Sequence, residues 1–381
     1  MKEIDVFRQW NRKRHEYATA WQKRTGGKVM GYFCTYVPEE ILHAAGVLPV
    51  RVLGSHEPQN VTEPHIFAMF CPFCRDCLAQ GLKGRYKYLD GLMIAQSCLH
   101  IRQAYTSWIK HVPVGFSYYL CMPHKVQSRR AYPYLRGELE AFRKAVEGWT
   151  GKQISDKALR EAIAVYNENR RLMRELYDTR KQAEPPVSGE EVMEISLAQQ
   201  MVDKREHNEA LRKLLAALPR RKRDRPAGTR LMIIGSEDDD IDFLHMVESL
   251  NKEQYPATFV VDEHCTGSRY FWNDVPEDKD ALMALSRRYI ERPPCPTKDW
   301  EERKRIPHIM KLARDFGAQG AIVMQQKFCD PHELDTVAIR KELEKQGIKT
   351  LFLEFDVTVP IGQFRIRVEA FLETLKQEDL F

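Results

Sequence analysis

Two stretches of short apolar runs alternating with helical patterns, and a long stretch between them that is helical throughout, predict an α/β fold. Its expected architecture is two parallel-sheet domains and a helical connecting region. At 381 residues the chain has room for about two domains, and 43% hydrophobic with 30% charged residues is the composition of a globular protein. We place an N-terminal helical segment at 1–27, a first α/β domain at 28–132, the connecting region at 133–225 and a second α/β domain at 226–381.

In the first domain, Pro38-Glu39-Glu40-Ile41-Leu42-His43-Ala44-Ala45 reads as a helix. Pro stands at a first helical position, acids fill the first turn and Gly46 ends it. Val47–Leu53, Gly91–Gln96 and Val114–Leu120 read as strands, with Pro49 pointing to a strand start or edge. In the connecting region Leu135, Leu139, Phe142, Val146 and Trp149 recur every three or four residues, as do Leu159, Ile163, Tyr166, Met173 and Leu176. Ser188-Gly189-Glu190-Glu191 is a capping box that restarts a helix after Pro185-Pro186. The second domain begins at Arg230–Gly235. A helix from about Asp240, then runs at 257–261, 320–325 and 350–355, give it a β-α-β rhythm that calls for a sheet covered on both faces.

The 59 Lys and Arg against 54 Asp and Glu leave a net charge of only +5, clustered only at Arg220-Arg221-Lys222-Arg223-Asp224-Arg225. That run reads as a solvated linker, with a docking patch for an acidic partner as the alternative. Nucleic-acid binding calls for a larger, more clustered excess, and no apolar run approaches a membrane span or a secretory leader. The chain therefore reads as cytoplasmic. In that compartment nine cysteines are better suited to metal ligation or thiol chemistry than to disulfides.

Cys98 and Cys329 follow predicted strands and Cys34 precedes the helix at Pro38. Open α/β sheets build ligand sites at such strand ends, and a helix N-terminus favours a thiolate or an anionic cluster. A small buried hydrophobe is the alternative for any one of them. Cys71-Pro72-Phe73-Cys74-Arg75-Asp76-Cys77 carries two consecutive two-residue spacers, as in ferredoxin-type runs, but the fourth cysteine position holds Gly81. Three readings stay open for it: an iron–sulfur site, a zinc site completed by a residue such as His65, and unligated thiols. Six such cysteines divide into two sets of three. No phosphate-binding glycine motif occurs; Gly148-Trp149-Thr150-Gly151-Lys152-Gln153 lacks its spacing and hydroxyl, so this chain is expected to bind no nucleotide itself.

The segments Gly31-Tyr32-Phe33-Cys34-Thr35-Tyr36-Val37-Pro38-Glu39-Glu40 and Ala44-Ala45-Gly46-Val47-Leu48-Pro49-Val50-Arg51 resemble the opening signature of the 2-hydroxyacyl-CoA dehydratase and benzoyl-CoA reductase family. Gln96-Ser97-Cys98, the segment Val261–Tyr270, Lys327-Phe328-Cys329-Asp330-Pro331 and the helical middle around Thr150–Ile154 are similar to further family motifs. The resemblance implies two Rossmann/flavodoxin-like domains with an iron–sulfur cluster between them, held by Cys34, Cys98 and Cys329. The run Cys71, Cys74, Cys77 resembles the six-cysteine members, which implies either a [4Fe-4S] cluster or a double-cubane [8Fe-9S] cluster.

Size and sequence are most similar to the smaller non-ATPase subunit of the ATP-dependent benzoyl-CoA reductases. That implies an oxidoreductase subunit acting on CH-CH groups, which takes part in low-potential reduction of an aromatic acyl-CoA ring to a cyclic dienoyl-CoA. Implied partners are a second dehydratase-like subunit, an ATPase activator carrying a bridging [4Fe-4S] cluster, reduced ferredoxin acting through that ATPase, and the acyl-CoA at or near the subunit interface. A 2-hydroxyacyl-CoA dehydratase subunit is the first alternative, and a non-catalytic assembly or electron-storage subunit the second. His100 and Glu40 are weak catalytic candidates, each with a structural alternative. Cys121 and Cys295 read as structural, and Cys265 has no distinct role.

Overall fold

A computed structural model of the chain describes residues 1–250 and 254–378. Eight strands form two four-stranded sheets: β1 (Val29–Phe33), β2 (Leu48–Arg51), β3 (Gly91–Ala95) and β4 (Phe116–Leu120) in one, and β5 (Thr229–Gly235), β6 (Ala257–Glu263), β7 (Gly320–Gln326) and β8 (Lys349–Phe355) in the other. The orders are β2-β1-β3-β4 and β6-β5-β7-β8, and every pair is parallel. This is the α/β fold that the alternation predicts.

Both sheets are covered on two sides, as parallel sheets require. Successive strand residues point to opposite faces, so Leu92 and Ile94 of β3 enter one core and Met93 and Ala95 another. In β5, Met232 and Ile234 likewise separate from Leu231 and Ile233. The central strand β1 is not among the strands expected from the sequence. Its five residues are all buried, and Gly31 interrupts the apolar run that would have marked it. That glycine is required: a Cβ there would lie 2.4 Å from the side chain of Leu89.

The helices fix the two sheets against each other. Helix Asp156–Asp178 sends Leu159 into the core of the first sheet and Met173, Leu176 and Tyr177 into that of the second. The N-terminal helix Lys2–Arg12 packs Ile4 and Phe7 against the second sheet, while helix Ala281–Glu291 returns to the first through Leu282, Leu285 and Tyr289. Ser188 and Glu191 form the expected capping box. Glu191 is also the bidentate partner of Arg221, at 2.8 Å for both bonds, so the basic run is tethered at that residue. Arg225 pairs with Glu248 at 3.5 Å. Among the described residues no helix is long and apolar enough to cross a membrane.

Candidate functional site

In each sheet the chain reverses direction across the strand order, between β1 and β3 and between β5 and β7, and ligand sites form at the carboxyl ends of strands beside such a reversal. Here the two reversal points face one another. Between them lies a cavity of about 320 Å³, at the small end of the range for ligand pockets. Seven of the nine cysteines line it: Cys34, Cys71, Cys74, Cys98, Cys265, Cys295 and Cys329.

Four of these sit where strands or loops turn into helices. Cys71 is the N-cap of helix Pro72–Leu82, Cys98 of helix Leu99–His111 and Cys329 of helix Asp330–Lys345; Cys34 follows β1, a few residues before helix Glu39–Ala44. The Cys98 sulfur accepts a hydrogen bond from the amide of Ile101 at 3.4 Å. Positive helix ends thus converge on the cavity and favour anionic contents. The backbone is strained at two of these points: Cys34 has φ of 71° and Phe328, beside Cys329, 59°. Such left-handed non-glycine residues cost about 1–3 kcal/mol each and cluster at functional sites.

The run 71–77 divides because it enters a helix. At about 100° per residue, steps of three rotate each cysteine by about 60° from the last, so Cys77 faces about 120° away from Cys71. Cys71 and Cys74 line the cavity, whereas Cys77 lies in the core with its thiol 3.4 Å from the carbonyl of Val52. The cysteine that would complete a ferredoxin spacing is excluded sterically: a Cβ at Gly81 would lie 2.6 Å from the buried indole of Trp108.

The thiols support one another. Cys71 neighbours both Cys74 and Cys329, and donates to Gln326 Oε1 at 3.3 Å. Gln326 also accepts from the amide of Phe73 at 2.8 Å, joining the end of β7 to the helix carrying Cys74. Burial pushes Cys34 and Cys98 above the ordinary thiol range, and Cys265 up to about 12 against the pull of Arg269. For Cys74 the hydrogen bond with Cys71 pulls down, but burial and the neighbouring thiols outweigh it and lift the group to about 12. Thiols held protonated in this way are poor nucleophiles, and binding of a metal would release their protons.

Among the described residues no three His, Cys, Asp or Glu side chains converge on a single point suited to one metal ion. Seven sulfurs spread around a cavity instead suit a polynuclear centre, in which each metal atom takes its own thiolate. His65 is not part of this set; its ring packs on His111 at 4.3 Å.

His100 does line the cavity, and its Nδ1 accepts a hydrogen bond from the amide of Cys71 at 3.0 Å. Its Nε2 lies 3.7 Å from Asp330, and burial lowers its pKa against the influence of that carboxylate. The ring therefore holds the start of the Cys71 helix. Glu40 is fully buried away from the cavity, paired with Arg170 and accepting from Tyr289 at 3.0 Å. Burial opposes its charge, but Arg170 and Arg288 outweigh that and lower its pKa. Cys121 lies outside the cavity, its amide donating to Glu138 at 3.2 Å. Cys265, which has no distinct role in the sequence reading, and Cys295, which reads there as structural, are both cavity residues. Cys265 begins the turn after β6 and Cys295 is the N-cap of the 3-10 turn Pro296–Lys298, positions that only the closed fold brings together.

Comparison with known proteins places the chain among acyl-CoA dehydratase and reductase subunits. The chain is 26% identical over 367 residues to the (R)-phenyllactyl-CoA dehydratase beta subunit of Clostridium sporogenes, covering 94% of this chain and 95% of that protein. It is 27% identical over 356 residues to a benzoyl-CoA reductase subunit of Thauera aromatica, with 92% and 91% covered. A third relative, the (R)-2-hydroxyglutaryl-CoA dehydratase beta subunit of Acidaminococcus fermentans, is 28% identical over 370 residues, with 93% and 94% covered. The family model for the 2-hydroxyglutaryl-CoA dehydratase D-component matches residues 34–375, from the first cavity cysteine through the last helix. The chain thus belongs to the 2-hydroxyglutaryl-CoA dehydratase D-component family.

Proposed function

We propose that the chain is an iron–sulfur subunit of an ATP-dependent acyl-CoA reductase of the benzoyl-CoA reductase type. The observation that carries this reading is the ring of seven thiols around one cavity between two sheets. When bound, a cluster there would supply single electrons at low potential. Cys34, Cys98 and Cys329 are the first ligand set; Cys71 and Cys74 belong to the second, with Cys265 and Cys295 within reach of the same cavity and Cys77 left to the core. This is more sulfur than a single cubane needs, and it suits the double-cubane form. Storage of electrons is useful where substrate is reduced in net terms.

The chain's own residues hold the ligands and limit access of water. His100 fixes the amide of Cys71 and Gln326 binds its thiol, while Ser97 and Ser236 line the same cavity. Electrons come in this reading from reduced ferredoxin through an ATPase activator with its own bridging cluster. A second dehydratase-like subunit completes the complex, and the aromatic acyl-CoA binds at or near their interface.

A second reading, a 2-hydroxyacyl-CoA dehydratase subunit, has equal support from the relatives: the two dehydratase beta subunits are 26% and 28% identical, the reductase subunit 27%. In a dehydratase the electron is recycled. The complex reconstituted with activator and reduced ferredoxin, supplied separately with benzoyl-CoA and an (R)-2-hydroxyacyl-CoA, separates the two. The reductase reading predicts ring reduction with ferredoxin consumed in step with product. Turnover of the hydroxyacyl substrate alone, with only catalytic amounts of electrons, would contradict it.

A further inference from the structure

The wall behind Cys34, Cys265 and Cys295 is built from buried cations that either share a carboxylate or have none within 4 Å. Arg269, 1% exposed, lines the cavity and points Nη2 at the Cys265 sulfur at 3.4 Å. Its other close acceptors are the backbone carbonyls of Gly235 and Ser236, at 2.9 and 2.7 Å, and its Nε and Nη1 have no hydrogen-bond partner. The nearest carboxylate, Glu263 at 3.4 Å, already binds Arg305 at 2.7 Å. Arg305 shares Asp335 with Arg303 in turn, so three guanidiniums, those of Arg269, Arg303 and Arg305, face two carboxylates, Glu263 and Asp335. Asp299, also buried near Arg305, is occupied by the amides of Lys304 and Arg305 at 2.6 and 3.0 Å. Of the three guanidiniums, Arg269 is the one on the cavity.

Two more cations extend this wall. Arg292, 3% exposed, donates to the carbonyls of Thr35 and Arg269 and lies 4.6 Å from the ring of Tyr36. Lys298, 1% exposed, donates to the carbonyl of Pro123 at 3.0 Å and lies 5.4 Å from the same ring. Among the described residues neither has a carboxylate partner within 4 Å, and Tyr36 is itself a cavity residue. Burial lowers the pKa of Lys298, and the thiols of Cys295, Cys34 and Cys98 counteract this. Arg269 lines the cavity and the other two stand behind Tyr36; buried charges without counter-ions are costly, so this side of the cavity calls for negative charge within it.

We propose that Arg269, Arg292 and Lys298 form a cationic wall that stabilises the electron-rich state of the anionic group held by the cavity thiols, making that group easier to reduce. The inference rests on the iron–sulfur reading above and adds to it the residues that set the potential. Net charge and hydrogen bonds to sulfur are the levers by which a protein tunes such a centre.

The test is a redox titration of the anaerobically purified full-length protein followed by electron paramagnetic resonance, with iron per chain measured on the same samples. Arg269→Gln and Lys298→Met remove charge; Arg269→Lys and Lys298→Arg keep it. Each neutral variant is expected to retain the iron of the unaltered protein and to shift its reduction equilibrium about tenfold toward the oxidised form, a fall of about 59 mV for one electron. The charge-keeping variants should recover at least half of that shift. Neutral variants with unaltered iron and an unaltered midpoint would overturn the proposal, as would Arg269→Lys shifting as far as Arg269→Gln. If Arg269→Gln fails to fold, the Lys298 pair decides, and loss of iron from both its members would show packing rather than charge and overturn the proposal. Absence of iron from the unaltered protein would instead refute the iron–sulfur reading on which the proposal stands.

Discussion

Arg51 at the end of β2 and Glu237 just beyond β5 form a buried ion pair of 2.7 Å that joins the two sheets at the cavity they share. Arg51 also donates to Gln200 and, at 3.1 Å, to the carbonyl of Cys265, so one guanidinium ties both sheets to the helical region. Breaking such a pair strands a charge in the interior. Arg51→Ala should destabilise the metal-free protein by about 3–5 kcal/mol in denaturant unfolding, whereas Arg51→Met combined with Glu237→Leu should cost much less. A single alanine variant within about 1 kcal/mol of the unaltered protein would be inconsistent with a lock at this position.

His100 acts on the centre through Cys71. Because its Nδ1 accepts the Cys71 amide hydrogen, the ring is neutral there and Nε2 carries the proton. Replacement by alanine leaves that amide without its acceptor and loosens the first turn of the helix carrying Cys74. Release of iron to a chelator should then speed up about tenfold, the lower end of effects for residues supporting metal ligands, and His100→Asn should restore much of the loss. Equal release rates for the alanine variant and the unaltered protein would remove His100 from the account.

Acid sensitivity follows from His207. It is fully buried, its Nε2 donating to the carbonyl of Ile195 at 3.1 Å and its Nδ1 accepting from Asn169 at 2.9 Å. Burial, with a smaller contribution from Lys204, lowers its pKa to about 3. A base with a depressed folded pKa costs nothing above its unfolded value of about 6.5. As pH falls from there toward 3, the unfolded state takes up the proton first and stability drops, at up to about 1.4 kcal/mol per pH unit. Unfolding free energy measured from pH 8 to pH 4 should decline below about 6.5, and His207→Gln should flatten that decline while lowering stability at pH 8. An unchanged slope in the variant would assign the acid sensitivity to other groups, such as His15 and His43, which burial lowers to about 4.

Seven of the eight strands announced themselves in the sequence through apolar runs after helix stops, and so did the capping box at Ser188. β1 did not, since Gly31 interrupts its apolar pattern for the sake of close packing on Leu89. The placement of Cys34, Cys98 and Cys329 beside element ends was likewise legible, because strand ends are local features. Two things were not. The division of the 71–77 run depends on its entry into a helix, which turns equal spacings into unequal directions. Cys295 reaches the cavity because helix Ala281–Glu291 returns to the first sheet, and Cys265 because the turn after β6 is tied to Ser236 beyond β5, tertiary events without a local mark.

In the proposed site the cavity thiols, and not the whole 71–77 run, hold the cluster. Iron and acid-labile sulfide per chain, measured on anaerobically purified protein beside Cys74→Ser and Cys77→Ser, test it most directly. Cys74→Ser should lose roughly four irons or more, as expected for a ligand of a cubane in a double cluster, while Cys77→Ser should keep the full content. Equal losses from both variants, or none from Cys74→Ser, would contradict it.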